Sequence, residues 1–302
     1  MVDVNVQEII TAATFNGLQS RIETILGQGF TDTGYGQSLS SSIVAANTVI
    51  TAAHLVNLKS DIDKCRAHQT GSLSTLVAIS ATDQIGAAQS LAVNGNSNTA
   101  KGINDFLALV NNLEGDKQTC DDTQASIEAV LSSTRVSNWN GTIIHTSKVT
   151  FTDAAARRHF FNAGGQIRLT GQLTAGSGAK DSDWAAMLAA IGTVKIGSHA
   201  TTQTGSGTPT AVGNYELTST SQRIFHKLGV AYQYDDNMYI VNAKTLADNI
   251  IEIEIQFQDN AAYGQADENV TGTIVSAITH RRPSGTYVSV PSPTYANVTL
   301  LG

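Results

Sequence analysis

The chain has 302 residues, a net charge of -7, and 14% charged against 41% hydrophobic residues. That length supports one large domain or two of ordinary size with a sizeable core. The acidic balance excludes a phosphate-binding stripe, Cys65 and Cys120 alone cannot form a disulfide framework or a Cys-based zinc site, and no apolar run of about 18 residues marks a membrane span.

The first ten residues, MVDVNVQEII, carry acid and no basic stretch, so no signal peptide is expected. Residues 1–135 then read as a helical region. Thr11 is a plausible N-cap, and Phe15, Leu18, Ile22, Ile25 and Leu26 fall on one helical face before Gly27 and Gly29. A second helix begins at Thr51 and aligns Leu55, Leu58, Ile62 and Cys65. The two are an internal repeat. Ile10-Thr11-Ala12-Ala13 matches Ile50-Thr51-Ala52-Ala53, and Leu18, Ser20 and Ile22 match Leu58, Ser60 and Ile62. Neither stripe can be buried by its own helix. Phe15, Leu18, Ile22, Leu55, Leu58 and Ile62 are therefore candidate interaction residues. Tyr35 joins them, in the Gly/Ser/Gln-rich loop from Gly34 to Asn47. The stripes could pack on each other, on a C-terminal sheet or on a neighbouring subunit. Further helices are expected over Ile103–Leu113 and over Thr123–Ser132, the second turning Ile127, Val130 and Leu131 inward. The Ala/Gly/Asn-rich stretch Ser80–Asn98 fits neither period.

After Arg135 the texture becomes β-rich, so the chain divides into 1–135 and 136–302, with a boundary near Val136–Asn140. Thr142–His145 and Lys148–Phe151 read as strands. Asp153 then caps a short helix carrying Arg157, Arg158, Phe160 and Phe161, and Gly164-Gly165 turns into a strand at Gln166. Ser182 is expected to cap another helix, with Trp184, Leu188 and Ile191 inward and Gly192 at its end. Strands are expected over 193–198, 215–217, 223–234, 238–244, 250–258, 270–279, 286–290 and 297–301. Asp235-Asp236-Asn237 signals a tight hairpin, and the Gly/Ser/Thr-rich run Thr201–Gly213 a loop. Ile251, Ile253, Ile255 and Phe257 alternate with Glu252, Glu254 and Gln256, so one sheet face is buried. The expected fold class is α+β: a helical region followed by an antiparallel, sandwich-like domain with two short helices on one face.

Several motifs resemble a known family. They are His159–Leu169 (HFFNAGGQIRL), the lead-in Trp139-Asn140-Gly141, Asp183–Leu188 (DWAAML), and Val49–His54 (VITAAH) with Leu58 and Ile62-Asp63-Lys64. Together they resemble virion structural proteins of tailed bacteriophages, notably those of cyanobacterial phages. The resemblance implies a part of the virion that acts by assembly with copies of itself and with other virion proteins. A tail-, neck- or baseplate-associated fibre-like role is the first expectation. A capsid decoration protein, or a module binding a receptor or host-surface glycan, is the alternative. A cyclic homo-oligomer is expected, a trimer or larger ring.

Residue chemistry offers no competing enzyme. His54, His68, His145, His159, His199, His226 and His280 show no metal-ligand spacing, and His54 and His68 read as surface or interface positions on helices. Asp181-Ser182-Asp183 suits a helix start better than half a calcium loop. Glu252 and Glu254 read as exposed strand residues, and Arg157-Arg158 as a salt-bridged surface pair. There is no Gly-x-Ser-x-Gly elbow or phosphate loop. No catalytic residue, cofactor, metal, nucleic-acid partner or membrane contact is expected. Tyr232, Tyr234, Tyr239 and Trp184 could line a sugar-binding surface, with core packing as the ordinary alternative.

Overall fold

A computed structural model describes residues 10–29, 33–80, 102–261 and 268–302. Most of the unassigned stretch Ser80–Asn98 lies outside the described residues. The protein is α+β. Its chain forms two compact units, and neither is continuous in sequence.

The helical unit comprises Met1–Ser126, Arg158–Gly164 and Pro283–Val290. Its long helices are α1 (Ala12–Leu26), α2 (Ala52–Thr70) and α3 (Ile103–Gly115). The repeat in the sequence is a repeat in structure, since α1 and α2 begin at equivalent positions. At α1 the Thr11 hydroxyl accepts a bond from the Thr14 amide, 3.1 Å. At α2 the cap is made in reverse: His54 Nδ1 accepts from the Thr51 amide, 3.1 Å. The three helices pack on one another, and Arg21 forks onto Glu114 at 2.7 and 2.6 Å to tie α1 to α3.

The Gly/Ser/Gln-rich loop between α1 and α2 is fixed by these helices. Asn16 exchanges two bonds with the Val44 backbone, at 2.9 and 2.8 Å. The buried Asp61 carboxylate accepts from the Ser40 and Ser41 amides and the Ser41 hydroxyl, at 2.7–3.0 Å. The unit also takes in Arg158–Gly164, the last part of α4 (Ala154–Asn162) and the turn after it. Gly164 ends that helix at φ +83, where an added Cβ would lie 3.0 Å from the Cys120 and Gln118 backbones. Glycine is required there by both conformation and space.

The β-rich unit comprises Ile127–Arg157, Gly165–Arg282 and Pro291–Gly302. Its strands are β1 (Ala125–Arg135), β2 (Gly141–Thr150), β3 (Gln166–Thr174), β4 (Val194–Ile196), β5 (Thr201–Gln203), β6 (Thr208–Pro209), β7 (Gln222–Leu228), β8 (Met238–Ala247), β9 (Ile250–Asp259), β10 (Thr273–Pro283) and β11 (Thr294–Thr299). They form two antiparallel sheets, ordered β1-β10-β3-β4-β5 and β11-β2-β9-β8-β7-β6. In β9 the expected alternation holds: Ile251, Ile253, Ile255 and Phe257 are fully buried. Helix α5 (Ala179–Ile191) joins β3 to β4 and lays its apolar face between the sheets. Leu188 abuts Gly171 of β3, and Trp184 packs on Phe257 of β9 with ring centres 6.1 Å apart.

Several local expectations are corrected. The segment read as a helix over Thr123–Ser132 is a short 3₁₀ turn followed by strand β1. Its apolar spacing satisfies a helical period, but the β-branched Ile127, Val130 and Thr134 suit the pairing with β10, which decides the outcome. The run Thr201–Gly213 contains the short strands β5 and β6, and a loop alone was expected. Asp235-Asp236-Asn237 does not close a tight hairpin, because β7 ends at Leu228 and a 3₁₀ turn, Tyr232–Tyr234, intervenes before β8. Helix α5 starts earlier than Ser182: Gly178 is the N-cap, and its amide bonds the Asp181 carboxylate at 3.0 Å. Residues 215–217 and 286–290 form turns or an isolated bridge, with no strand. The expected boundary near Val136–Asn140 falls inside the β-rich unit, which already holds β1 from Ile127 onward.

Candidate assembly surface

The seven residues expected to mediate interaction are interior. Phe15, Leu18, Ile22, Leu55, Leu58, Ile62 and Tyr35 are each at most 1% exposed, so the chain covers both amphipathic stripes itself. The surface of an assembly protein must be sought elsewhere. Tyr35 shows how fully that core is used. Its hydroxyl donates to the Lys117 carbonyl at 2.6 Å and accepts from Gln69 at 2.9 Å, and burial raises its pKa. Beside it lies a small cavity of about 10 Å³, room for about one water, lined by Thr24, Thr33, Lys117 and Asn162. That is below the ~300–1,000 Å³ of small-molecule sites.

His68, read from sequence as a surface or interface residue, is fully buried in the helical unit. Its Nε2–H donates to the Ala163 carbonyl at 2.8 Å, which leaves Nδ1 as an acceptor 3.8 Å from Cys120 Sγ. The sulfur also has the Asp121 carbonyl at 3.4 Å and the Gln124 carbonyl at 3.7 Å. Three acceptors around one thiol hold it as a donor, the opposite of what a nucleophile requires. Cys65 is the buried core thiol the sequence implies, and burial pushes its pKa up. Arg157 is no surface ion pair. It is buried in the β-rich unit and donates to Asn214 Oδ1 at 2.6 Å and to Thr245 at 3.1 Å. Burial lowers its pKa. Glu252 and Glu254 are engaged along the sheet, with Lys244 at 2.9 Å and Asn242 at 3.0 Å respectively. Among the described residues no group of three or more His, Cys, Asp or Glu side chains is arranged to hold a metal, and no helix is long and apolar enough to cross a membrane.

Leu246 of β8 apart, the large exposed apolar groups of the β-rich unit, among the described residues, lie in two places. One is the margin where β1 and β11, the edge strands of the two sheets, lie close together: Ile127 is 62% exposed, Val136 74% and Leu300 57%. The other is the β7–β8 connection, where Tyr232 is 92% exposed beside Leu228 and Val230. Both places are held firmly. Asp183 of α5 accepts from the Val230 and Ala231 amides, and Tyr234 bonds Glu268 at 3.0 Å. At the margin, Arg282 pairs with Glu128 at 2.8 Å, Tyr295 bonds His280 at 3.0 Å, and the Leu301 amide donates to Ser133 at 2.9 Å. Sequence reading missed this margin because a helical period over Thr123–Ser132 turns Ile127 inward. The alternation of exposed Ile127 and Ala129 around Glu128 was the signal available.

Two buried histidines stitch the same margin, and they set its response to acid. His145 of β2 donates from Nε2 to Asn297 at 2.8 Å and accepts at Nδ1 from Ser276 of the opposite sheet at 2.9 Å. His280 stacks on Tyr295, with ring centres 5.5 Å apart, and faces Glu128 at 3.3 Å. Burial lowers both pKa values from 6.5, against a smaller opposing pull from Asn297 on His145 and from Glu128 on His280. A histidine held neutral in the fold binds fewer protons than its unfolded counterpart. Stability is therefore full above pH 6.5 and declines as pH falls below it toward the folded values. Thermal melts should show Tm falling between about pH 7 and pH 5, with a shallower fall in His145→Gln. An identical slope in that variant would remove His145 from the account.

The comparisons add no relative to this geometry: no known family, curated protein or solved structure matches the chain.

Proposed function

We propose that the protein is a structural component of a bacteriophage virion, a tail-, neck- or baseplate-associated fibre-like part that works by protein–protein assembly. The observation that carries this reading is the clustering of exposed apolar side chains on hydrogen-bonded, rigid parts of the sandwich. Ile127, Val136 and Leu300 sit at one margin, and Leu228, Val230 and Tyr232 on one connection. Exposed apolar clusters on fixed scaffolds are characteristic of protein interaction sites. The resemblance of Val49–His54 and His159–Leu169 to tailed-phage structural proteins supplies the setting. The glycan-binding alternative calls for a cluster of exposed rings, yet of Tyr232, Tyr234, Tyr239 and Trp184 only Tyr232 is exposed.

Antibody raised against the recombinant chain, applied to purified phage particles with gold labelling, should mark the tail, neck or baseplate. Labelling spread over the head would shift the role to decoration. A chain recovered only from the soluble lysate would overturn the reading.

A further inference from the structure

We propose that the protein assembles head to tail, the β7–β8 connection of one copy docking on the outer face of the five-stranded sheet of the next. The inference rests on the assembly reading above and names the partner, a second copy of this chain. The outer face is set by alternation. Arg168 of β3, Lys195 of β4 and Arg281 of β10 are half-buried, and the residues on either side of Arg168 and Lys195 are buried against the other sheet. Register places Arg168 directly opposite Lys195 on one side and Thr279 on the other, with Arg281 on the diagonal. Like charges directly opposite, with Cβ atoms about 4.5–5.5 Å apart, work against strand pairing. Nothing on the sheet offsets them, because β3, β4, β5 and β10 contain no Asp or Glu. Neither Arg168 nor Lys195 has a side-chain hydrogen bond or ion pair among the described residues. In a chain of net charge -7 this face concentrates positive charge and calls for acid from outside. Val275 and Ala277 continue it along β10 as a neutral, half-buried row.

The β7–β8 connection carries the complement. Residues 228–237 include two acids, Asp235 and Asp236, and no base. Both are exposed, and neither carboxylate has a hydrogen bond or ion pair among the described residues. Beside them stand the exposed Leu228, Val230 and Tyr232. The backbone is fixed by the Gly229 amide on the Asn237 carbonyl at 2.8 Å and by Asp183 on the Val230 and Ala231 amides, so docking orders little that is not already ordered. Acid meets base and apolar meets apolar when connection docks on face, whereas face on face or connection on connection sets like charges together. Two different patches on one chain make a heterologous contact, which closes into a ring or runs on as a fibre.

The test uses the full-length chain in size-exclusion chromatography with light scattering over a concentration series. The wild type should rise above the monomer mass with concentration, and further at low salt than at high salt. Two charge-reversed variants, Arg168→Glu/Lys195→Glu and Asp235→Lys/Asp236→Lys, should each weaken association by about tenfold or more, equal to ~1.4 kcal/mol. Mixing the two should restore it, since opposite charges again meet at every contact. Misfolded variants cannot rescue each other, so the mixture separates lost charge from lost fold. A wild type that stays monomeric at every concentration and salt overturns the proposal. So does undiminished association in either variant alone, or a mixture that stays monomeric while circular dichroism shows both variants folded. Because gold labelling of particles is read separately, a labelled particle with a monomeric chain sinks the head-to-tail contact and spares the virion assignment.

Discussion

Replacing Lys180 with alanine is expected to destabilise the β-rich unit by about 3–5 kcal/mol. The ammonium group is fully buried, 2.9 Å from one Asp259 oxygen, 3.0 Å from the other and 3.3 Å from the Ala261 carbonyl. The loss is large because the partner stays behind. An Asp259 carboxylate with no cation and no water is far costlier than a missing ion pair. The double replacement Lys180→Met/Asp259→Leu removes both charges and keeps the volume, so it should recover most of the loss. Urea denaturation of the three proteins gives the comparison. Equal losses in the single and double variants would show that the ion pair is not what holds α5 to the end of β9.

Trp184→Ala should cost a similar ~3–5 kcal/mol, by cavity formation. The ring is fully buried, meets Trp139 edge-on at 5.2 Å and lies 6.1 Å from Phe257. It is the largest side chain that α5 places between the sheets. Its Nε1–H has no hydrogen-bond partner among the described residues. Trp184→Phe therefore sacrifices volume but no buried hydrogen bond, and should lose only a part of the alanine effect. Urea midpoints decide the matter. A Phe variant as unstable as the Ala variant would mean that the indole nitrogen contributes after all.

Much of this architecture was legible where a strong local period met a clear terminator. Thr11 and Thr51 mark real helix starts, Gly192 a real helix end, and Ile251 to Phe257 a strand buried on one face. Asp153 caps α4 as expected, accepting from the Ala156 amide at 2.7 Å. What failed were decisions made by long-range pairing. β1 is a strand because β10, far along the chain, lies beside it, and no local window contains that fact. Likewise β5 and β6 arise from neutral residues whose pairing comes from β4 and β7. The candidate interaction residues failed for a related reason. An amphipathic stripe states that something covers it but not what does. Here α1, α2 and α3 cover one another, and the exposed apolar groups of the β1 margin and the β7–β8 connection carry no helical period that would mark them.

The make-up of the helical unit dictates when it can be finished during synthesis. Arg158 and His159 bond the Gln28 carbonyl at 3.0 and 3.1 Å, Asn162 bonds the Gly34 carbonyl at 3.2 Å, and Gln37 bonds the Ser289 carbonyl at 3.1 Å. The helices emerge from the ribosome well before these main-chain partners, the last of which follows Gln37 by 252 residues. Nascent chains halted anywhere before Pro283 carry an incomplete helical unit and give proteases and chaperones a prolonged opportunity. Such closure over a long sequence separation also makes refolding slow relative to a contiguous helical bundle.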